Sequence, residues 1–349
     1  SLLSQAESLP PSPPSPPPPP GSFDVLFIGT GVSTGIPKIG CIVRPDPSMP
    51  KCHVCHDAMR ESSKNRRGNV SILLRFWHKD GRPRHIMVDA GKTMRENCMR
   101  FLPQHGVRSL DSLLLTHSHA DAIHGLDDIR DFQEQSGVIL KHFPPLPVYL
   151  NEATFDEVKR RFSYLVPGTG SALEVESKNR SDSGSRFVSR IRWNIISDEE
   201  FEVEGCEGLK VRPLPVLHGG SLISLGFEFK SDKQRFVYIS DVSHIPSKVL
   251  RSLKNSPHPQ VLVLDALDEK KHFSHFNLQE AVDAAAEISP RKLLLVGMTC
   301  SMGDHEETNR KLIALRPARR CSCDQCAGLP LSVELAHDGQ FLDSREWGR

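Results

Sequence analysis

The sequence predicts an α+β protein in which two β-sheets pack face to face and helices cover both outer surfaces, a four-layer αββα sandwich. Two observations predict this fold. Short apolar runs typical of buried strands recur in both halves of the chain, and helical patterns follow or separate them in each half. The 349 residues, 38% of them hydrophobic, are enough to build a core of this size.

The first half of the chain carries four predicted strands, at 24–29, 70–76, 84–89 and 112–116. The second and third form a hairpin. Helices are predicted from near Lys92 and over 151–166. A long polar stretch, 40–69, contains several cysteines. A loop of that length needs something to hold it in place.

The second half repeats the pattern with five predicted strands, at 209–216, 224–229, 235–240, 261–265 and 292–297. Asn277 and Glu280 have the spacing of a capping box, in which each side chain bonds the other residue's backbone amide. A helix is therefore predicted from this point through Ile288.

Residues 1–22 are predicted to be a disordered, proline-rich segment, and 23–349 form one predicted domain. The run "PPSPPSPPPPP" at 10–20 favours an extended spacer. The stretch 177–186 is rich in glycine and serine and is predicted to be a mobile surface loop.

The bulk composition excludes some partners. A formal net charge of +1 gives no electrostatic reason to expect binding to nucleic acid or an anionic membrane. No apolar run approaches the ~20 residues that span a bilayer. Nine cysteines, an odd number, include several in metal-type spacings beside histidines. We therefore expect a reducing, cytoplasmic or organellar location and no secretion.

The stretch "LTHSHADAIHGLDD" at 115–128 places three potential metal ligands after a predicted strand: His117, His119 and Asp121. Histidines two positions apart in an extended segment project to the same side. Imidazole suits zinc-like ions, and a carboxylate two residues on can reach a second ion. His218 and Asp241 each follow another predicted strand, so several strand ends contribute one ligand-type side chain each.

The motifs occur in the order "GTGVSTGIP", "VDAGK", "THSHAD", "VLHGG" and "YISDVS". This order resembles the metallo-β-lactamase superfamily of hydrolases, and within it the phosphodiesterase-like branch that includes the bacterial cyclic-phosphate phosphodiesterase of phosphonate metabolism. The resemblance runs from about Phe23 to Gly339. It implies the αββα metallo-β-lactamase sandwich and one or two divalent ions, zinc or manganese, in the active site.

The resemblance also assigns ligands. It implies that His117, His119 and His218 face the first ion, that Asp241 bridges, and that Asp121 belongs to the second ion. Two positions depart from the family's pattern. Ala122 stands where the motif has a histidine, and "GMTC" offers Cys300 where the family has a "GMTH"-like histidine.

Cys300 is expected either to bind the second ion as a thiolate, which zinc accepts better than manganese, or to be a buried thiol. His124 is an alternative replacement for the missing imidazole. We expect a complete first site and a weak or rebuilt second one.

His272 and His275 precede the predicted helix that begins after Asn277, and free amides at a helix start suit a phosphate. By resemblance His275 is the active-site histidine that contacts phosphate or protonates the leaving oxygen, since its unperturbed pKa is ~6.5. The alternative is an exposed pair of histidines at the helix start. Asp121 is expected to orient the attacking water if the second ion is absent.

Cys41, Cys52 and Cys55 form a C-x10-C-x2-C pattern in the long early loop, and the C-x2-C pair readily binds a metal. The resemblance implies a structural zinc here with a distant histidine as fourth ligand. His305 is the matching residue, with His53 and His56 as alternatives. Cys321, Cys323 and Cys326 form an additional group that is either a further metal site or an exposed insertion.

The sequence therefore predicts a metal-dependent hydrolase that acts on a small or cyclic phosphodiester through a hydroxide generated at the metal. Its catalytic residues are His275, Asp121 and Asp241. The alternatives are an endonuclease of the kind that processes tRNA 3′ ends, another hydrolase of the superfamily, or a catalytically quiet metal-binding protein. A nucleic acid as substrate, and a homodimer, are left open by the sequence.

Overall fold

The computed structural model describes residues 18–44, 47–133, 144–166, 189–315 and 331–347. Most of the proline-rich segment, the loop 177–186 and the cysteine group at 321–326 lie outside these described residues, so the predictions made for them stay predictions.

Seven strands form the sheet that begins the domain, called here the N-terminal sheet. Its strands are β1 (Phe23–Gly29), β2 (Ser71–Trp77), β3 (Pro83–Val88), β4 (Ser112–Leu114), β5 (Leu146–Leu150), β6 (Ile191–Ile195) and β14 (Phe341–Leu342). They are ordered β14-β1-β2-β3-β4-β5-β6. Strands β1 to β3 pair antiparallel, whereas β3 to β6 run parallel.

The C-terminal sheet also has seven strands. These are β7 (Phe201–Glu202), β8 (Lys210–Leu217), β9 (Ile223–Lys230), β10 (Arg235–Ile239), β11 (Val261–Asp265), β12 (Lys292–Val296) and β13 (Ser332–Leu335). The order is β13-β12-β11-β10-β9-β8-β7. Strands β10 to β13 are parallel, and β7 to β10 pair antiparallel.

The described helices connect these strands. They are α1 (Ile39–Ile42), α2 (His53–Asp57), α3 (Met94–Phe101), α4 (Ala120–Ile123), α5 (Glu152–Arg161), α6 (Ser247–Lys254), α7 (Leu278–Ile288) and α8 (His305–Leu315).

Three apolar cores separate four layers. The first lies between the sheets and is rich in aromatic rings, such as Phe27, Phe76 and Phe227, all buried. The second packs α3, α4 and α5 on the outer face of the N-terminal sheet. The third packs α6 and α7 on the outer face of the C-terminal sheet. The predicted αββα sandwich is confirmed.

The strands and helices expected from the sequence are present, with small shifts at their ends. The helix predicted over 151–166 is shorter, because Phe162 leaves helical geometry (φ −126°, ψ 48°) and a single 3-10 turn follows at Ser163–Leu165. Strand β5 was not predicted, and its Pro147 is atypical of a strand interior.

Several strands end at one edge of the sandwich. Because β3 and β4 are parallel, as are β10, β11 and β12, the polar residues that follow them converge. These residues are Asp89, Thr116, His117, Asp241, Asp265 and Gly297. The fold thus brings together the ligand-type side chains that were predicted one strand end at a time.

Candidate metal centre

Three histidines form the centre of the site. His117, His119 and His218 each offer one ring nitrogen, and these nitrogens lie within 4.8 Å of one another. The ring centroids are 4.6 to 5.1 Å apart. His117 and His218 are buried and His119 is exposed, so the group opens to the surface on one side.

A chain of hydrogen bonds orients His117. Asp89 accepts hydrogen bonds from the amide and the hydroxyl of Thr116, each at 2.8 Å. Because that hydroxyl donates to Asp89, it accepts from Nδ1 of His117, 2.8 Å away. The proton of His117 is thereby placed on Nδ1, and its buried Nε2 has no hydrogen-bond partner among the described residues.

His218 is oriented from its other side. Its Nδ1 lies 2.7 Å from the carbonyl oxygen of Ser274 and donates to it, which leaves Nε2 with a lone pair. This Nε2 is 3.3 Å from Nδ1 of His119. Gly219 follows with φ of +77°, and a side chain there would meet Ser274 Cβ at 2.8 Å. The glycine allows the two loops to approach closely.

The electrostatics favour neutral imidazoles with free lone pairs. Burial lowers the pKa of His117 to about 3, and the neighbouring histidines add to the effect. Burial likewise lowers the pKa of His119 and of His218. Neutral imidazole nitrogens that converge without a proton between them fit a divalent ion. The unpartnered Nε2 of buried His117 is consistent with that ligand.

Asp241 lies beside this group and is 7% exposed. Together with His218 and His275 it forms a second set whose donor atoms are within 4.8 Å. Burial raises the pKa of Asp241, but electrostatic interactions with His117, His218 and His275 outweigh burial and leave it lowered. Asp241 is therefore an anionic side chain at the edge of the histidine cluster.

Asp121 lines the same pocket but is placed differently. It is half-buried on the first turn of α4, and burial and the charge of Asp241 raise its pKa to about 6. Among the described residues it belongs to no group of three ligand-type side chains that could hold a metal. Its main charged neighbour is another carboxylate.

His275 is held by Asp265. Its Nδ1 is 2.7 Å from Asp265 Oδ2, and Asp265 is completely buried. Burial lowers the pKa of His275, but the charge and hydrogen bond of Asp265 outweigh burial and raise it to about 9. His275 is thus a cationic donor whose remaining nitrogen is free to face the pocket.

These side chains line a pocket with an empty volume of about 270 Å³. Its lining includes His117, Asp121, Ala122, Asp241 and His275. On the other side lie Asp89, Gly297 and the turn that follows β1. Of the predicted active-site residues, His117, Asp121, Asp241 and His275 line this pocket. His119 and His218 lie beside His117, and Cys300 does not belong to the site.

Cys300 corrects one expectation. It does not reach the histidine cluster, because its sulfur lies with Cys41, Cys52 and Cys55, and the four Sγ atoms are within 4.8 Å of one another. The Sγ atoms of Cys41 and Cys300 are 4.0 Å apart. A tetrahedral ion with bonds of about 2.3 Å to sulfur would separate its ligands by about 3.8 Å. The cluster therefore fits a thiophilic ion.

His305 corrects a second expectation. Predicted as the fourth ligand of this cluster, it instead starts α8, where Arg67 donates to its Nδ1 at 3.0 Å and the Asn309 amide nitrogen lies 3.0 Å from Nε2. Nδ1 of His305 is thus committed to Arg67 within the protein, and Cys300 takes the fourth place in the cluster. The alternatives His53 and His56 are exposed and outside the cluster.

The sequence argument missed Asp89 and Asp265. Each follows or ends a buried strand, as Asp241 does, so the signal was present: an acid at the end of an apolar run. The sequence did not indicate which residues these acids bond. Asp89 bonds Thr116, 27 residues away, and Asp265 bonds His275, 10 residues away. His124 and His272 are both exposed and in no metal-type group of the described chain.

A sequence model of the β-lactamase superfamily domain matches residues 84–298. The chain belongs to the metallo-β-lactamase superfamily. This metallo-β-lactamase-fold hydrolase is similar to a solved diphosphatase of the PhnP family. The two are 26% identical with a TM-score of 0.65, over 92% of this chain and 96% of the other.

Two further solved structures share the fold. Zinc-bound PqqB from Methylobacterium extorquens has a TM-score of 0.59 at 16% identity and covers 92% of this chain and 99% of its own. The short form of human tRNase Z has a TM-score of 0.52 at 16% identity, covering 92% and 98%. Membership of the metallo-β-lactamase superfamily, together with the donor groups described above, identifies the protein as one that binds a divalent metal.

A curated relative, an octanoyltransferase from Porphyromonas gingivalis (strain ATCC BAA-308 / W83), is 27% identical over 292 residues, 81% of this chain. The match covers 47% of the relative, so this chain spans about half its length. In the part of the chain that the structure describes, no helix is long and apolar enough to cross a membrane.

Proposed function

We propose that this hydrolase cleaves small phosphodiesters, including cyclic ones. The observation that carries the proposal is the position of His275. This donor is held by buried Asp265, lies beside His218 and Asp241, and lines the same small pocket as the metal-ligand candidates His117 and Asp241. Hydrolysis of a phosphodiester needs this combination, because negative charge grows on the phosphoryl oxygens and on the leaving oxygen.

Four residues of the site have a role in binding the metal. His117, His119, His218 and Asp241 are the proposed ligands of a divalent ion. When bound, such an ion supplies Lewis acidity and lowers the pKa of a water molecule from 15.7 toward about 7. Zinc suits three nitrogens and one carboxylate, and manganese is the alternative.

Two side chains handle protons. Asp121 borders the pocket with a pKa raised to about 6, so its carboxylate can orient the attacking water and accept its proton. As the new bond to phosphorus forms, the bond to the leaving oxygen breaks. His275 donates its Nε2 proton to that oxygen and keeps its Nδ1 hydrogen bond to Asp265.

The composition of the pocket supports a phosphoryl substrate, because its lining joins two proposed metal ligands, His117 and Asp241, to the donor His275. The PhnP-family diphosphatase also supports phosphoryl chemistry. Its sequence identity to this chain, 26%, is higher than the 16% of PqqB and of tRNase Z. Cys41, Cys52, Cys55 and Cys300 are proposed to hold a separate zinc that fixes their loop.

The test is a substrate screen. Purified protein loaded with zinc or with manganese is assayed against bis-p-nitrophenyl phosphate, 2′,3′-cyclic nucleotides and a diphosphate ester. We expect turnover of at least one phosphodiester, and loss of at least ~10³-fold in a His117→Ala variant. The matched control is His258→Ala, on the loop between α6 and β11, which should retain full activity.

Three results would count against the proposal. They are no phosphodiester turnover with either metal, turnover unchanged in His117→Ala, or hydrolysis confined to a thioester, a lactam or the diphosphate. A preference for precursor tRNA over small phosphodiesters would instead support the endonuclease alternative.

A further inference from the structure

We propose that the active site binds one divalent ion and not two. The inference rests on the proposed function only in assigning the ligand roles, and it concerns the number of ions that this set of side chains can hold. It decides between the one and the two divalent ions that the chain's resemblance to its family leaves open.

The first reason is what stands at the expected second-ion positions. Ala122 lines the pocket with a methyl group, is 2% exposed, and offers no donor atom. Its backbone is fixed, because its carbonyl oxygen accepts a hydrogen bond from the Ala90 amide at 2.8 Å. Position 122 therefore contributes no side-chain ligand to a second ion.

The second reason is that Cys300 is already used. Its sulfur belongs to the four-cysteine cluster, with Cys41 Sγ 4.0 Å away. A sulfur bound in that cluster is unavailable to an ion in the histidine pocket. Of the three positions expected to serve the second ion alone (Asp121, Ala122 and Cys300), Asp121 is the one that offers a donor beside the pocket, and in the described chain it belongs to no group of three donors.

The third reason is a count of lone pairs. Two donor groups occur in the pocket, His117–His119–His218 and His218–Asp241–His275, and both need His218. Nδ1 of His218 donates to the Ser274 carbonyl oxygen at 2.7 Å, so only Nε2 carries a lone pair. One nitrogen lone pair binds one ion at a time. The two groups therefore describe one ion position with His275 at its side.

His275 has a role consistent with this count. Its Nδ1 is committed to Asp265 at 2.7 Å, and its ring centroid lies 4.7 Å from that of His218. It therefore lies beside the shared ligand His218 and Asp241, where it can act as a hydrogen-bond donor. The pocket is then complete with one ion and one protein donor.

The experiment counts ions and not products. Protein with zinc kept in the cysteine cluster and the histidine site emptied by mild chelation is titrated with Mn²⁺ and followed by native mass spectrometry. We expect one Mn²⁺ per chain. Its electron paramagnetic resonance spectrum should be the six-line pattern of an isolated ion, without the exchange coupling that two adjacent Mn²⁺ ions show.

The deciding variant is Asp121→Asn. In a one-ion site this change leaves the Mn²⁺ stoichiometry at one and alters the affinity by less than about threefold. In a two-ion site it removes a ligand of the second ion and lowers the count. The matched variant is Asp241→Asn, which removes a ligand of the proposed single ion and should weaken Mn²⁺ binding by more than tenfold.

Two Mn²⁺ ions per emptied site, a coupled spectrum, a lowered count in Asp121→Asn, or no Mn²⁺ at all would each overturn the inference. Because metal counting needs no substrate, its failure is separate from that of the proposed function. A chain that binds two Mn²⁺ ions and cleaves phosphodiesters contradicts only this inference. A chain that binds one and cleaves none contradicts only the function.

Discussion

At the scale of single residues, Asp265 joins two loops that meet beneath the pocket. Its Oδ2 accepts a hydrogen bond from Nδ1 of His275 at 2.7 Å and one from the Val242 amide at 3.2 Å. Gly297 closes the other side, where a Cβ would lie 2.4 Å from Asp265 Oδ1. The carboxylate thus fixes the ring of His275 without reaching the proposed metal ligands.

This contact predicts the effect of Asp265→Asn. Loss of the carboxylate charge weakens the hold on His275, and kcat should fall about 10–100-fold, as is typical when a partner that orients a functional side chain is removed. KM and the number of bound ions should stay unchanged, because Asp265 is outside the set His117, His119, His218 and Asp241. Steady-state kinetics and metal analysis on the same preparation measure both.

The control for that experiment is Asp268→Asn. Asp268 is partly exposed, lies three residues after Asp265, and accepts a hydrogen bond from the Ser301 hydroxyl. It should leave kcat within about twofold of the parent enzyme. Loss of bound metal in Asp265→Asn, or an unchanged kcat, would show that Asp265 does not act by positioning His275.

At the scale of elements, the segment from Lys38 to Ala58 cannot be stable by itself. Its helices α1 and α2 have four and five residues, far below the length at which isolated helices persist. Its apolar cluster contains only Ile36, Val54, Cys55 and Ala58 as buried members. Since the four cysteines meet here, the zinc proposed for this cluster would supply the missing stabilisation.

We therefore expect Cys52→Ser to lose one zinc per chain and to become sensitive to limited proteolysis within this segment. The ion of the histidine site should remain, because its ligands come from other elements. Mass spectrometry of the metal content and of the cleavage products measures both effects. Cys98→Ser is the control, since Cys98 is buried in the core beneath α3 and lies outside the cluster.

The start of α7 is a second element with a definite expectation. The side chain of Asn277 accepts a hydrogen bond from the Glu280 amide at 2.8 Å, and Glu280 Oε2 accepts one from the Asn277 amide at 3.0 Å. The capping box predicted from the sequence is confirmed. This cap lies two residues after His275, so it also fixes the end of the loop that carries His275.

Asn277→Ala should lower the free energy of unfolding by about 1 kcal/mol, the usual cost of losing such a cap. Asn277→Asp keeps an acceptor and should lower it by far less. Urea denaturation followed by circular dichroism measures the difference. Equal stability of the two variants would mean that the helix start is held by other contacts.

At the scale of the whole molecule, the sequence was sufficient to predict features that depend on neighbouring residues. Buried strands, the capping box and the ligand at each strand end follow from periodicity and from neighbours a few residues away. Cys300 and His305 were assigned wrongly because their partners are distant. Cys300 lies 259 residues from Cys41, and His305 lies 238 residues from Arg67. The spacing of residues in the sequence does not reveal whether Cys300 or His305 completes the cysteine cluster.

The network around His305 connects both sheets. Arg67 is 4% exposed and donates to the Thr30 hydroxyl at 3.0 Å, to the Ala336 carbonyl oxygen at 2.6 Å and to His305. Thr30 follows β1 and Ala336 follows β13, so one guanidinium ties the two sheets and α8 together. Burial, and then the charge of Arg67, lower the pKa of His305 to about 3.

This lowered pKa predicts a pH dependence of stability. In the unfolded chain His305 titrates near pH 6.5, whereas in the folded protein it stays neutral down to about pH 3. Between these values the unfolded state binds more protons, so stability falls as the pH falls. From pH 7 to pH 5 this one histidine should account for about 2 kcal/mol of lost stability.

His305→Gln removes the titrating group and keeps an acceptor for Arg67, so its stability should fall less than that of the parent protein between pH 7 and pH 5. Urea unfolding of both proteins at the two pH values gives the difference directly. Comparing the two proteins cancels the other histidines, including those of the metal site. Parallel losses in parent and variant would mean that Arg67 does not keep His305 neutral.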